Sequence, residues 1–275
     1  MGAKSRFMGK LTNKVVVVTG GASGIGLAIC QRFAQEGAKI ALLDLDDEAI
    51  TAQCRGLQAR GVDVFGRRCD VSVEAECTEA AKAILAHFGG VDVLVNNAGI
   101  TQRAAFVDTQ VSVFERVMAV NFFGSLYCTK ALIDSLIERK GQVIVIESIA
   151  GVAPLLGRTG YAASKHALHG LFTSLRTELR AQGTHVMIVC PGFIKTNLQT
   201  RALGADGQVT DHPQSIIGKQ STPEEAAEAI VQGALKRKHM VVLTVAGKLG
   251  YWISRVAPVL YERIIERKFK GELER

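Results

Sequence analysis

The stretch that decides the fold is Val15-Val16-Val17-Val18-Thr19-Gly20-Gly21-Ala22-Ser23-Gly24-Ile25-Gly26. Its four successive valines predict a short strand that is buried on both faces. A glycine-rich turn follows, and the next residues have helical periodicity. Such a turn lets a pyrophosphate approach the backbone closely, and the helix that follows offers free N–H groups and the positive end of its dipole. The stretch therefore predicts a dinucleotide-binding turn formed by Gly20, Ser23, Gly24, Ile25 and Gly26.

The rest of the chain repeats this alternation of strand and helix. Short apolar runs predict strands at Val15–Thr19, Lys39–Asp44, Val62–Cys69, Val91–Asn96, Gln142–Glu147, His185–Cys190 and Met240–Val245. Apolar residues at three- and four-residue steps predict helices at Ile25–Glu36, Glu74–His87, Val113–Leu136 and Ala162–Ala181. We therefore expect an α/β fold with a doubly wound parallel sheet and helices on both faces. Residues 1–246 form the predicted dinucleotide-binding catalytic domain, and residues 247–275 form a helical extension.

Composition narrows the classes of function. The six cysteines are scattered without a metal-ligand spacing, so we predict no metal site and a reducing, cytoplasmic location. Met1–Lys10 lacks the apolar stretch of a signal peptide, and no run is long enough to span a membrane. Of the formal net charge of +7, +6 lies in residues 236–275. A charged tail on a nearly neutral body is not the pattern of a nucleic-acid-binding face, so no nucleic-acid partner is expected.

Carboxylates at two predicted strand ends indicate how the cofactor is bound. Asp44 ends the second strand, where it can accept hydrogen bonds from both adenosine ribose hydroxyls and would repel a 2′-phosphate. Leu45 follows it, and the glycine turn contains no Arg or Lys. We therefore predict NAD rather than NADP as the cofactor. Asp70 is placed to bond the adenine amino group, with Val71 against the ring, although capping of its own loop is an alternative role for Asp70.

Tyr161 and Lys165 are four residues apart and share one face of a predicted helix. A nearby ammonium lowers the pKa of a phenol, so this pair is suited to general acid/base catalysis. Ser148, at the end of the fifth strand, can hold a substrate oxygen beside the tyrosine. Asn121 lies in the preceding helical segment, where an amide can bind a water near Lys165 or simply be a satisfied structural group.

These motifs, together with Asn96-Asn97-Ala98-Gly99, resemble the main branch of the short-chain dehydrogenase/reductase family. The resemblance covers roughly residues 11–245 and implies a Rossmann-like seven-stranded sheet and an Asn121–Ser148–Tyr161–Lys165 tetrad. It implies that Tyr161 exchanges the proton of the alcohol or ketone, that Lys165 also bonds the nicotinamide ribose, and that Ser148 polarises the substrate oxygen. It also implies cofactor contacts from Asn97, Ala98, Gly99, Pro191, Gly192, Ile194 and Thr196, and a homodimer or homotetramer.

The substrate side is predicted to be apolar. The polar, turn-rich segment Lys195–Ser221 is typical of a lid over a binding site. Leu155, Phe193 and Leu198 are expected to form apolar walls, and no cluster of Arg or Lys marks an anion site there. We therefore expect a hydrophobic alcohol or ketone of the lipid, steroid-like or aromatic kind. Reversible hydride transfer is the predicted reaction.

The extension, residues 247–275, is amphipathic and basic. Such a segment either packs on its own body or a partner subunit, or lies on an anionic membrane surface. Pro258 is expected to interrupt its helix.

Two rival functions use the same fold. An NADPH-dependent ketoacyl-thioester reductase is disfavoured by Asp44. A non-catalytic nucleotide-sensing scaffold is disfavoured by the intact set of four polar residues.

Overall fold

The computed structural model describes residues 9–212, 215–216 and 218–273. Within them, seven strands form one parallel sheet in the order β3-β2-β1-β4-β5-β6-β7. The strands are β1 (Val15–Thr19), β2 (Lys39–Asp44), β3 (Val64–Arg68), β4 (Val93–Asn96), β5 (Gln142–Ile146), β6 (His185–Cys190) and β7 (Met240–Val242). The helices are α1 (Gly24–Gln35), α2 (Asp47–Gln58), α3 (Glu74–Phe88), α4 (Val111–Met118), α5 (Gly124–Glu138), α6 (Thr159–Glu178), α7 (Pro223–Leu235), α8 (Val245–Val256) and α9 (Pro258–Phe269).

This architecture confirms the predicted doubly wound sheet with a C-terminal helical extension. Several predicted strands are shorter by one to three residues at an end, as is usual for boundaries read from apolar runs. The expectations for Met1–Lys10 fall almost wholly on residues 1–8, which lie outside the described residues. So do Pro213, Gln214 and Ile217 of the predicted lid and the last two residues of the tail.

The sheet separates two hydrophobic cores, and β1 contributes to both. Val15 and Val17 point into the core formed with α3, α5 and α6. Val16 and Val18 point into the core formed with α1, α2 and α7. Successive side chains of a strand point to opposite faces, so a strand covered on both sides is apolar at every position. This is the physical basis of the valine run that predicts the fold.

The predicted helix Val113–Leu136 is not continuous. Its α-helical hydrogen bonding is interrupted by a π-helical turn at Ala119–Phe123, between α4 and α5. Asn121 lies in this turn and is fully buried. Short π-helical turns are frequent at functional sites because they redirect one side chain out of the regular helical register.

The strand order reverses between β1 and β4, which are hydrogen-bonded neighbours although two strands separate them in sequence. Open α/β sheets bind ligands at such a point, at the carboxyl ends of the strands. The glycine turn follows β1 and residues Asn97–Gly99 follow β4. The topology therefore places both predicted motifs at one crevice.

The extension forms the two helices α8 and α9, and Pro258 is the first residue of α9. The predicted interruption at Pro258 is therefore present, and α8 begins two residues earlier than the predicted boundary. Tyr261, Ile265 and Phe269 are buried against Ala153 of the body. Across the residues that the structure describes, none of the helices is long and apolar enough to cross a membrane.

Candidate active site

A cavity of about 680 Å³ lies at the carboxyl ends of the strands. At the carboxyl end of each strand, the last residue or one that follows it lines the cavity: Gly20, Asp44, Asp70, Asn97, Ser148, Pro191 and Thr244. The cavity is also lined by most of the other residues predicted to contact cofactor or substrate: Ser23, Gly24, Ile25, Val71, Ala98, Gly99, Leu155, Tyr161, Lys165, Gly192, Phe193, Ile194, Thr196 and Leu198. Gly26 and Asn121 lie behind its wall. The sequence therefore locates the cavity, although it does not distinguish lining residues from supporting ones.

The turn between β1 and α1 has the backbone that a phosphate cradle requires. Gly20 and Gly24 have positive φ angles of 62° and 52°, which only glycine adopts without strain. A Cβ atom on Gly26 would lie 2.0 Å from the carbonyl oxygen of Gly20. Any side chain there would push α1 away from the turn. The N-terminus of α1 has no side-chain cap, so its backbone N–H groups are free to bind an anion.

Asn97 holds this turn against the end of β4. Its Nδ2 donates to the carbonyl oxygens of Thr19 at 2.9 Å and Gly20 at 3.1 Å. The backbone N–H groups of Asn97 and Ala98 both donate to Oγ1 of Thr19 at 3.0 Å. Asn97 thus fixes the width of the crevice in addition to lining it.

Asp44 lies at the tip of β2 and faces the cavity. Its Oδ2 accepts from the Ala22 N–H at 2.9 Å and its Oδ1 from the Leu45 N–H at 2.8 Å. These bonds orient the carboxylate, and each oxygen keeps lone-pair capacity for a hydroxyl donor. Asp70 accepts hydrogen bonds from both the N–H and the hydroxyl of Ser72. It therefore caps its own loop, which is the alternative role predicted for it.

These observations meet the requirements of a nicotinamide dinucleotide. The glycine cradle and free helix N-terminus suit the pyrophosphate, and the oriented Asp44 carboxylate suits a ribose diol. All of them lie along one cavity that ends at Tyr161 and Lys165.

Tyr161 and Lys165 lie on the first two turns of α6, at the inner wall of the cavity. Lys165 Nζ lies 5.6 Å from the centre of the Tyr161 ring and donates to the Ile146 carbonyl at 2.9 Å. Ser148 lines the cavity beside Tyr161 and interacts with its phenol in the direction that lowers the phenol pKa. Ser148 Oγ also accepts from the Ala150 N–H at 3.1 Å, which fixes its rotamer. The structure thus brings Ser148, Tyr161 and Lys165 together at one wall of the cavity.

The electrostatics of this pair differ in one respect from the sequence-based expectation. Burial raises the pKa of Tyr161, and this outweighs the lowering effects of the Ser148 hydrogen bond and of Arg158. Burial also lowers the pKa of Lys165 to about 8, against an opposing effect of Glu147. The tyrosine pKa is therefore raised, and not lowered as the sequence-based expectation has it, because burial is the largest effect on it.

Asn121 supports the site from behind. Its Nδ2 donates to the Ile100 carbonyl at 3.0 Å and to Ser164 Oγ at 2.9 Å, and its Oδ1 accepts from the Ile100 N–H at 2.8 Å. A Cβ atom on Gly99 would lie 3.1 Å from Asn121 Oδ1 and 3.7 Å from Lys165 Nζ. The Asn121 amide therefore has the structural role that the sequence analysis offers as an alternative. The π-helical turn also brings this amide near Lys165.

Glu147 belongs to the site but is not among the predicted site residues. It is 2% exposed, and its carboxylate contacts His169 Nδ1 and accepts from Cys190 Sγ, both at 3.0 Å. It directly precedes Ser148 and raises the pKa values of both Tyr161 and Lys165. The available signal was a carboxylate at the end of an otherwise apolar run, where burial of a charge requires partners.

Gln102 is a second residue of the site that the sequence-based predictions do not include. Its side chain is fully buried and its Oε1 accepts from the backbone N–H of Tyr161 at 3.0 Å. The neighbouring Arg103 donates to the carbonyl oxygens of His212 and Gln199, the latter at 2.8 Å. This segment therefore anchors both the start of α6 and the predicted lid. No motif marks either residue, because their partners are backbone atoms distant in sequence.

The outer part of the cavity is apolar, as predicted, but much of its wall comes from the extension. Leu249, Ile253, Ile264, Ile265 and Phe269 of α8 and α9 line it together with Leu155, Phe193 and Leu198. Phe193 stacks on Phe269 with a centroid separation of 6.2 Å. The alternative in which the tail packs on its own body is thus present in the structure.

A buried ion pair fixes this tail. Arg158 Nη2 lies 3.0 Å from a carboxylate oxygen of Glu272, and the two side chains are 2% and 0% exposed. Glu272 Oε1 also accepts from the Ser215 N–H at 2.7 Å. Arg158 lines the cavity on the substrate side, and its ion pair with Glu272 is an element of this wall that the sequence analysis does not predict. The sequence could not reveal this, because Glu272 follows Arg158 by more than a hundred residues.

Comparisons with known proteins identify the family of the chain. Residues 14–205 match the family model described as short chain dehydrogenase. Over 276 residues, the chain is 36% identical to dehydrogenase/reductase SDR family member 7B of Bos taurus, covering 97% of this chain and 85% of the relative. It is also 36% identical to the probable oxidoreductase EphD of Mycobacterium bovis, covering 91% of this chain and 44% of that protein.

Two solved structures share the fold. A short-chain dehydrogenase/reductase from Burkholderia phymatum in complex with NAD superposes with a TM-score of 0.81 at 25% identity, covering 91% of this chain and 96% of that one. An alcohol dehydrogenase from the archaeon Thermococcus sibiricus complexed with 5-hydroxy-NADP gives 0.73 at 28% identity, covering 84% and 95%. Fold and site define a nicotinamide-dependent oxidoreductase. The chain belongs to the short-chain dehydrogenase/reductase family.

Proposed function

We propose that the protein transfers a hydride between NAD(H) and a hydrophobic secondary alcohol or ketone, with Tyr161 as the general acid/base. The observation that carries the proposal is the buried Tyr161, which lies with Ser148 and Lys165 at the inner wall of a cavity whose outer walls are apolar. The same cavity runs past the glycine cradle. It therefore provides one space for a dinucleotide and for an apolar substrate.

In this mechanism the bound nicotinamide supplies or accepts the hydride. Ser148 donates to the substrate oxygen and orients it. Tyr161 donates its proton to that oxygen during ketone reduction and accepts a proton during alcohol oxidation. Lys165 places a positive charge beside the phenol and so stabilises the phenolate when the proton has left. Asn121 holds the Ile100 backbone and Ser164, and with them the geometry of α6.

The preference for NAD rests on Asp44. Its two oxygens accept from the Ala22 and Leu45 N–H groups, and a carboxylate in this position would repel the 2′-phosphate of NADP. The residues after it are Leu45, Asp46 and Asp47, which offer no cation. Like-charge repulsion of this kind discriminates more strongly than a lost contact.

Tyr161→Phe tests the proposed acid/base role. Removing one hydroxyl from a well-packed ring leaves the fold intact, so NADH binding should persist while turnover falls by about 10²- to 10⁴-fold. The assay follows NADH absorbance with a panel of hydrophobic secondary alcohols and ketones. Retention of more than a few per cent of activity would remove Tyr161 from the mechanism.

A titration with NADH and NADPH tests the cofactor. We expect NADH to bind at least about tenfold more tightly, and Asp44→Ala to reduce that ratio. Equal affinities in the wild-type protein would overturn the assignment and favour the NADPH-dependent ketoacyl-thioester reductase. Binding of nucleotide without turnover of any alcohol or ketone would favour the nucleotide-sensing scaffold.

Assembly and location stay predictions. We propose a homodimer or homotetramer through the predicted helical segments Val113–Leu136 and Ala162–Ala181. In the first of them, Phe123 is 40% exposed beside Phe122 and Tyr127. Light scattering coupled to size-exclusion chromatography tests the oligomer. The cytoplasmic location rests on six free cysteines.

A further inference from the structure

The outer face of the extension is apolar and exposed. Along α8, Val245, Leu249, Trp252 and Val256 are 75%, 59%, 64% and 80% exposed, and their spacing of three or four residues places them on one side of the helix. On α9, the exposed apolar residues are Val259, Leu260 and Ile264. We call this set the outer face. An apolar set of this extent on two adjacent helices is typical of a surface that contacts a partner or a membrane.

Basic side chains surround the outer face. Lys248 and Arg255 are exposed on α8, and Arg263, Arg267 and Lys268 are exposed on α9. The acidic residues of these two helices are Glu262 and Glu266, so the net charge of the pair is positive. Exposed tryptophan and leucine bordered by lysine and arginine are characteristic of helices that lie in the headgroup region of an anionic bilayer. This charge distribution favours a lipid surface over a second copy of the chain, whose equally basic face would repel it.

The outer face is continuous with the cavity. Leu249 and Ile264 are 59% and 38% exposed, and both also line the cavity. The buried side of the same helices supplies Ile253, Ile265 and Phe269 to the cavity wall. The apolar surface of the extension is therefore continuous from the outer face to the wall of the cavity.

We propose that the outer face docks on an anionic lipid bilayer and that the substrate enters the cavity from that bilayer. The entry route rests on the proposed function, whereas the docking does not. The substrate class is thereby narrowed to an apolar alcohol or ketone that partitions into membranes. Docking directs the region between α8 and α9 at the lipid, so such a substrate need not cross water.

The single tryptophan of the chain makes docking directly measurable. Trp252 lies at the centre of the outer face and does not line the cavity. The full-length protein is mixed with vesicles of phosphatidylcholine alone or with phosphatidylglycerol added. We expect a blue shift of Trp252 emission and co-sedimentation with the phosphatidylglycerol vesicles, and quenching of the emission when the lipid chains are brominated.

Two variants with a matched control identify the surface. Val256→Glu with Val259→Glu should weaken vesicle binding by at least about tenfold, because it places carboxylates in the apolar face. Val107→Glu with Val111→Glu adds the same charge at valines of similar exposure outside the extension and should bind as the wild type does. Lys248→Gln with Arg263→Gln should lose at least about tenfold on phosphatidylglycerol vesicles only. Each protein is also assayed with a water-soluble alcohol, whose turnover should be unchanged.

Absence of an emission shift or co-sedimentation with either vesicle would overturn the docking proposal. So would a stable dimer that dissociates in the Val256→Glu/Val259→Glu variant while vesicles leave Trp252 emission unchanged. If docking holds but a vesicle-dissolved alcohol is turned over no better by the wild type than by that variant, the entry route is wrong. If the wild-type protein has no dehydrogenase activity with any alcohol or ketone, the proposed function is contradicted, whereas the docking proposal is unaffected.

Discussion

At the scale of single residues, the least expected member of the site is Glu147. Its carboxylate is buried directly before Ser148 and acts on both members of the proton-transfer pair. It favours the charged form of Lys165, opposing the effect of burial. A negative charge behind a buried ammonium keeps that ammonium protonated at higher pH. We infer that Glu147 tunes the pH range in which Lys165 can stabilise the phenolate.

Glu147→Gln tests this role. Removing the charge lowers the pKa of Lys165 further, so the alkaline limb of the kcat/KM profile should move to lower pH. At pH 8 the expected loss is about three- to tenfold. Glu147→Asp keeps the charge and should retain a limb close to that of the wild type. A Gln variant whose activity falls equally at all pH values would indicate a purely structural role.

The spacing of Tyr161 and Lys165 could be interpreted from the sequence, whereas their burial could not. The four-residue spacing of Tyr161 and Lys165 predicts that they share a helix face, since this follows from helical geometry alone. Their burial is different, because it depends on distant parts of the chain: Gln102 bonds the Tyr161 N–H, and Val113, Val117 and Leu203 pack with Tyr161. The direction of the tyrosine pKa follows from that burial. It could therefore not be derived from the local sequence.

At the scale of elements, the strands were predictable because most of them are apolar at consecutive positions between turn residues, β3 with Gly66, Arg67 and Arg68 being the exception. The alternation of strand and helix then fixes a parallel sheet and its functional edge. The π-helical turn at Asn121 was not predictable, because the apolar periodicity of the segment continues across it. The orientation of α8 and α9 was also hidden, because their apolar residues lie on two sides of each helix. One side lines the cavity and the other is exposed.

The ion pair between Arg158 and Glu272 determines how firmly the tail is held. Both groups are almost fully buried, so removing one partner leaves an unpaired charge in a medium of low dielectric constant. We expect Glu272→Gln to lower the free energy of unfolding by about 2 to 4 kcal/mol and to accelerate hydrogen exchange in α9. Denaturant unfolding and exchange monitored by mass spectrometry provide the measurements.

The companion variant replaces both partners with methionine. Substituting a buried ion pair by apolar side chains of similar size is often neutral or stabilising. The Arg158→Met/Glu272→Met protein should therefore recover most of the lost stability and the protection of α9. If the single variant loses less than about 0.5 kcal/mol, in the range of exposed ion pairs, the pair does not hold the tail.

At the scale of the whole molecule, the proposed catalytic machinery reduces stability. Lys165 is buried and its pKa falls from the ordinary 10.5 to about 8, so the folded chain binds this proton less tightly than the unfolded chain does. Below pH 8 both states are protonated and the full cost of burying the charge opposes folding. As the pH rises from about 8 to about 10.5, the folded state loses the proton first, and this cost disappears. The contribution of Lys165 to stability therefore becomes more favourable with rising pH.

Lys165→Met should make the nucleotide-free protein more stable at pH 7, although it removes activity. Removing the buried ammonium stabilises the folded protein by about 3 kcal/mol. Losing its hydrogen bond to the Ile146 carbonyl destabilises the protein by about 1 kcal/mol, so the net gain in the free energy of unfolding is about 2 kcal/mol. Urea unfolding at intervals from pH 7 to pH 10 measures the difference between wild type and variant, which should shrink above pH 8. Lys130→Met, at an exposed position of α5, should show no such dependence. A difference that stays constant or grows with pH would mean that folding does not lower the pKa of this lysine. A difference that already shrinks steeply between pH 7 and pH 8 would mean that the buried lysine is uncharged in the folded protein, and the stabilising charge required for proton transfer would then have to come from another group.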